Sequence, residues 1–206
     1  QRQMCIRDSN GTAGIYAVDG AIEIASGELN VRVNSGANVS SDASGVYSNA
    51  TGIKGLNGTI TVAGSTRTTL DVTDGYQEAT GVYAGSYGDK KATVSILGDT
   101  AITATGKTGA HALYAEKGSE ITIGSKGKMV ALTGDVTAKD ADSIITLAGD
   151  SNVVKGTVTA DAGGIVLGGS DKATYTADKF VTKGAGEKTS NAKSGTITVS
   201  GGTLNI

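Results

Sequence analysis

Proline and tryptophan are absent from this chain, and phenylalanine, cysteine and histidine each occur once. So few large aromatics leave little to fill a broad globular core. A single cysteine, Cys5, excludes an internal disulfide framework. A single histidine, His111, excludes a His–His metal pair. Charged residues are 18% of the chain and the net charge is −2, so no basic field for nucleic acid or an anionic membrane is expected. No apolar run approaches the roughly 18 residues of a membrane-spanning helix. The 32 glycines show no three-residue period, which excludes collagen.

What remains is rich in Gly, Ala, Val, Thr, Ile and Ser, residues that suit narrow layers packed on one another. The phrase Gly-aliphatic-Tyr recurs as Gly14-Ile15-Tyr16, Gly45-Val46-Tyr47 and Gly81-Val82-Tyr83, then in altered form as Ala112-Leu113-Tyr114. The tyrosines are 31, 36 and 31 residues apart, a step that signals stacked repeats. Two more alternating runs follow each phrase: 21–24 and 29–33, 59–62 and 70–72, 93–96 and 102–104, 120–123 and 129–132. Alternation with Thr, Glu, Asn or Arg on the second face predicts half-buried strands. Asp19-Gly20, Asn57-Gly58 and Asp74-Gly75 supply turns between them. One repeat buries too few aliphatics to offset the ordering of its own backbone, so neighbours must cover its open faces.

The expected fold is all-β: a β-solenoid of stacked coils with three short strands per coil. Length variation is expected in the connection after the Tyr strand, with insertions at Ser48–Asn57 and Gly85–Lys91 as contact loops. Residues 10–206 read as one domain, with long coils over 10–132 and shorter ones over 133–206. Strands are expected at Ser143–Leu147, Val153–Val154, Gly156–Val158 and Gly164–Leu167, and a polar excursion over Thr176–Lys193. Residues 1–9 are unlike the rest and read as translated adapter sequence, the alternative being a native N-terminal segment. The chain reads as an internal piece of something longer.

Few residues offer chemistry. His111, at the entrance to a strand, reads as a turn or surface histidine. Gly149-Asp150-Ser151-Asn152 resembles the nucleophile phrase of chymotrypsin-like proteases, but Asn replaces the final Gly and no activating base accompanies it; it reads as a turn. Asp140 and Asp142 could share a cation, though two carboxylates on a solvated turn are the simpler reading. Gly163-Gly164 and Gly168-Gly169-Ser170-Asp171 lack the spacing of calcium-binding nonapeptides. Glu23, Arg32, Arg67 and Asp71 would serve a polysaccharide lyase or hydrolase only if drawn into one groove. Tyr16, Tyr47, Tyr83 and Tyr114 should stack in one column, as a register-holding ladder ahead of an aromatic binding strip. No catalytic residue, metal or cofactor is assigned.

The Gly-Ile-Tyr-Ala repeat, the run from Gly134-Asp135-Val136-Thr137 to Val158, and the serial Gly-Thr-aliphatic units of 195–206 together resemble the passenger domains of Gram-negative autotransporters. The resemblance spans most of residues 10–206. It implies a right-handed β-helix displayed at the bacterial surface, exported through a C-terminal outer-membrane barrel outside this chain. It further implies a non-catalytic stalk or adhesin, with a surface protein or glycan as partner. Two rivals stand beside it: a carbohydrate-active enzyme on the same fold, and a trimeric phage or surface fibre.

Overall fold

The computed structural model describes residues 2–6, 13–35, 49–75, 77–183, 196–200 and 203–205. The described residues are all-β and contain no helix. In chain order the strands are β1 (Arg2–Ile6), β2 (Ala13–Val18), β3 (Ala21–Ile24), β4 (Gly27–Ser35), β5 (Asn49–Leu56), β6 (Thr59–Val62) and β7 (Thr66–Asp74). There follow β8 (Glu78–Gly85), β9 (Thr93–Ile96), β10 (Thr100–Gly106), β11 (Gly109–Ala115), β12 (Glu120–Ile123), β13 (Met129–Thr133) and β14 (Asp135–Lys139). The last are β15 (Ile144–Leu147), β16 (Ser151–Asp161), β17 (Gly164–Leu167), β18 (Thr174–Lys183), β19 (Thr196–Val199) and β20 (Thr203–Asn205).

The strands pair in parallel and form two sheets. One has seven strands, in the order β19-β17-β15-β12-β9-β6-β3. The other has thirteen; its main path runs β1-β4-β7-β10-β13-β16-β14-β11-β8-β5-β2, with β18 beside β16 and β20 beside β18. From β1 to β15 nearly every pairing joins a strand to the one three places later in the chain. At β16 two of the strand rows merge: its first half pairs with β13 and its second half with β14.

Parallel pairing in register converts the sequence alternation into rows of like residues. In the seven-stranded sheet Ile22, Ile60, Val94, Ile121, Ile145, Ile165 and Ile197 are successive partners. Ile60 through Ile165 are fully buried. Opposite them, Val31, Leu70, Ile102, Leu132 and Val154 make a second inward row. Ile15, Ile53, Val82, Leu113, Val136 and Val158 make a third. Each buried aliphatic contributes about 1.5–3 kcal/mol, and most strands turn polar residues outward, such as Thr61, Ser95 and Thr122 in the seven-stranded sheet.

The Gly of the Gly-aliphatic-Tyr phrase has a steric origin. A Cβ on Gly14 would stand 2.8 Å from the Gly52 carbonyl oxygen, one on Gly52 2.7 Å from that of Gly81, and one on Gly81 2.6 Å from that of Ala112. Ala112 is tolerated because the register slips between His111 and Leu113 where β11 meets β14, so the next strand has no residue at that place.

Several expectations are corrected. Gly45-Val46-Tyr47 lies outside the described residues, and the register partner of Gly14-Ile15-Tyr16 is Gly52-Ile53-Lys54. Most of Ser48–Asn57 is therefore strand β5 and no insertion. The length variation sits mainly before the Tyr strand. There the connection spans 36–48, then 75–77, then 107–108, then Gly134 alone, and within β16 and β18 it vanishes. The step between equivalent residues shrinks accordingly, from 38 (22 to 60) to 20 (145 to 165). Val153-Val154 and Gly156-Thr157-Val158 belong to one strand, bent at Gly156 (φ 155°). Thr176–Lys183, expected as excursion, continues β18 along β16; 184–193 is outside the described residues. Its alternation was hidden because the register slips between Val154 and Thr157, shifting the inward phase from Tyr175 and Ala177 to Phe180. Arg2–Ile6, set apart from the fold by composition, pairs with Leu29–Val33.

Candidate functional site

The outer face of β2, β5, β8, β11 and β14 carries the densest chemistry among the described residues. Its first row reads Tyr16, Lys54, Tyr83, Tyr114 and Thr137. Tyr47 was the expected second member; Lys54 holds that place. The column faces outward, and Tyr16 is 49% exposed. Lys54 Nζ lies 5.6 Å from the Tyr16 ring centroid and 5.5 Å from that of Tyr83, so one ammonium serves two aromatic faces. Tyr83 and Tyr114 stack with centroids 6.0 Å apart and planes 6° from parallel.

Tyr83 is held at both ends. Its ring covers Gly85, where any side chain would overlap it. Its hydroxyl donates to Glu116 Oε1 at 2.6 Å, and Lys139 Nζ approaches Glu116 Oε2 at 3.9 Å. Burial, then the Glu116 carboxylate, pushes the Tyr83 phenol far above the usual tyrosine range. Burial also raises Tyr114.

A second outward row runs Ala13, Thr51, Thr80, His111 and Asp135. His111 is no turn residue; it lies inside β11 with its side chain 19% exposed. Its Nε2 is 2.6 Å from Glu78 Oε1, and its ring meets Tyr114 edge-on at 5.0 Å. Its Nδ1 is buried without a hydrogen-bond partner. Glu78 reaches His111 because its own register partner is Gly109, which offers no side chain. Between the two rows lies a shallow cavity of about 270 Å³, bounded by Thr51, Lys54, Glu78, Thr80, Tyr83 and Tyr114.

The other sequence candidates do not join this cluster. Arg32 and Asp71 are register partners and form an exposed pair at 3.2 Å. Arg67 stands opposite Glu28 on the same two strands, and Glu23 lies on the other sheet. Asp140 and Asp142 sit in the β14–β15 turn with φ of 69° and 65°. Among the described residues no three of His, Cys, Asp and Glu gather as metal ligands. Gly149-Asp150-Ser151-Asn152 leads into β16, and the buried Asn152 amide donates to the Gly149 and Thr174 carbonyls at 2.7 and 3.2 Å. Of the expected loops, 86–92 is present after β8. The Tyr87 N–H donates to Asn57 Oδ1 at 2.7 Å, and Lys90 Nζ donates to Asp19 Oδ1 at 2.9 Å.

Lys54, Glu78, Thr80, Glu116 and Lys139 carried no sequence signal as a site. A shared signal existed in Gly52-Ile53-Lys54, which fits the repeat phrase with Lys in place of Tyr. Comparison with protein-family models, curated proteins and solved structures found no match.

Proposed function

We propose that the chain is a segment of a right-handed parallel β-helix, three strands to a coil. On this reading it serves as a non-catalytic display stalk or adhesin segment of an autotransporter-like bacterial surface protein. The carrying observation is the stepwise parallel pairing, three places on through β3, β6, β9, β12 and β15 and two places on through β17 to β19, which stacks like residues in one row. Such a stack is a spacer whose strands leave one face outward for contacts. Each turn adds to the last with no long-range closure, which suits folding after export. Labelling of intact cells that make the full-length protein tests this reading. Surface labelling supports it; recovery in the cytoplasmic fraction alone overturns it.

A carbohydrate-active enzyme is the second reading. The convergence of Lys54, Glu78, His111 and Glu116 on one face favours it. Against it, these groups are engaged with one another: Glu78 with His111, Glu116 with Tyr83 and Lys139, Lys54 with two rings. Reducing-end release from a panel of bacterial and plant polysaccharides separates the two, the stalk reading expecting none.

A further inference from the structure

The cavity between the two outward rows has a definable ligand chemistry. At about 270 Å³ it is smaller than the roughly 300–1,000 Å³ of drug-sized sites, so it suits one small ring. Its six boundary residues bring one ammonium, one carboxylate, two threonine hydroxyls and two phenols. An anion placed there would face Glu78, with Glu116 behind Tyr83. A cation would find the aromatic faces already taken by Lys54. A flat aromatic ligand would find Tyr83 and Tyr114 covering each other.

What these groups recognise is a neutral molecule with adjacent hydroxyls. One hydroxyl accepts from Lys54, its neighbour donates to Glu78, and Thr80 can do either. The Glu78 side chain is 44% exposed and is fixed by His111 at one oxygen, which orients the carboxylate toward a ligand. We infer that the depression bounded by Thr51, Lys54, Glu78, Thr80, Tyr83 and Tyr114 binds one uncharged sugar ring of a glycan. The inference names a partner class for the display reading and rests on it only for biological use.

Saturation-transfer NMR on the full 206-residue chain tests it. The probes are the methyl glycosides of glucose, galactose, mannose, fucose and N-acetylglucosamine, with methyl glucuronide as charged comparator. At least one neutral glycoside is expected to show transfer. Glu78→Gln and Thr80→Val should each weaken it about tenfold, the loss of one hydrogen bond at a charged or polar partner. Thr80→Val leaves the Glu78–His111 pair intact and covers the case in which Glu78→Gln unfolds. Glu120→Gln, on the other sheet, should leave binding unchanged. Absence of transfer to every neutral glycoside, undiminished transfer in Thr80→Val, or preference for the glucuronide overturns the inference. None of these results bears on surface display, which the cell-labelling experiment decides separately.

Discussion

Lys54 and Tyr83 are register partners on adjacent parallel strands, and the lysine ammonium rests 5.5 Å from the centre of the tyrosine ring. The same ammonium is 5.6 Å from Tyr16 on the strand before. A cation thus stands between the first and second rings of the column and bridges them.

The bridge sets a first expectation. Lys54→Met keeps much of the aliphatic stem and removes the charge, so both cation–ring contacts disappear. At a partly exposed site each contributes about 0.5–1 kcal/mol, and a loss of about 1–2 kcal/mol is expected in urea unfolding. High salt should leave most of the difference in place, because close ring contacts are screened less than exposed ion pairs. No change in the unfolding midpoint would mean that Lys54 is merely solvated.

Much of the framework was legible in the sequence. The four-residue runs 21–24, 59–62, 93–96 and 120–123 match β3, β6, β9 and β12 end for end. Each has two apolar residues at period two and closes against a turn, so local pattern and burial agree. The frame of the second repeat was not legible, because Gly45-Val46-Tyr47 matches the phrase better than Gly52-Ile53-Lys54 does. Only pairing with Ile15 and Val82 selects Ile53. The candidate site followed that frame. Glu78, His111 and Lys54 are distant in sequence, and parallel register alone brings them to one face.

The glycine column gives a second expectation. Gly81→Ala would place a Cβ 2.6 Å from the Ala112 carbonyl oxygen and inside contact distance of the Ile102 side chain. Backbone must move, and a loss above about 3 kcal/mol is expected. Ala112→Gly, the reverse change one strand on, relieves nothing and costs about 1–2 kcal/mol through backbone entropy and the loss of one fully buried methyl. Thermal unfolding of the two variants should therefore separate widely. Equal effects would show that the carbonyl row does not enforce glycine.

Neighbouring residues of β12 give a third. Ile121 is fully buried between Val94 and Ile145, whereas Thr122 points outward. Ile121→Ala should cost about 2–5 kcal/mol, since stacked partners on both sides limit collapse of the cavity. Thr122→Ala should remain within about 0.5 kcal/mol of the parent. A chemical denaturation series on both variants checks the inward and outward assignment of the seven-stranded sheet.

Alkaline pH supplies the last expectation, through Tyr83. Burial and the Glu116 carboxylate both disfavour its phenolate, so its folded value lies above the ordinary 10.0. The folded state therefore holds this proton more tightly than the unfolded chain does. The resulting stability is fully present below about pH 10 and drains away as pH rises from there toward the folded value. Tyr114 and Tyr175 shift the same way through burial and add to the effect. Tyr83→Phe removes the titrating group together with the 2.6 Å bond to Glu116. It should be less stable than the parent at neutral pH, by about 1 kcal/mol for one partly exposed hydrogen bond to a charge. Above about pH 10 the parent loses its advantage, and the two unfolding midpoints should converge. Glu116→Gln should instead let Tyr83 ionise at lower pH in the folded state, seen as earlier tyrosinate absorbance. Midpoints that stay parallel across the alkaline range would place the Tyr83 hydroxyl in solvent and dissolve its tie to Glu116.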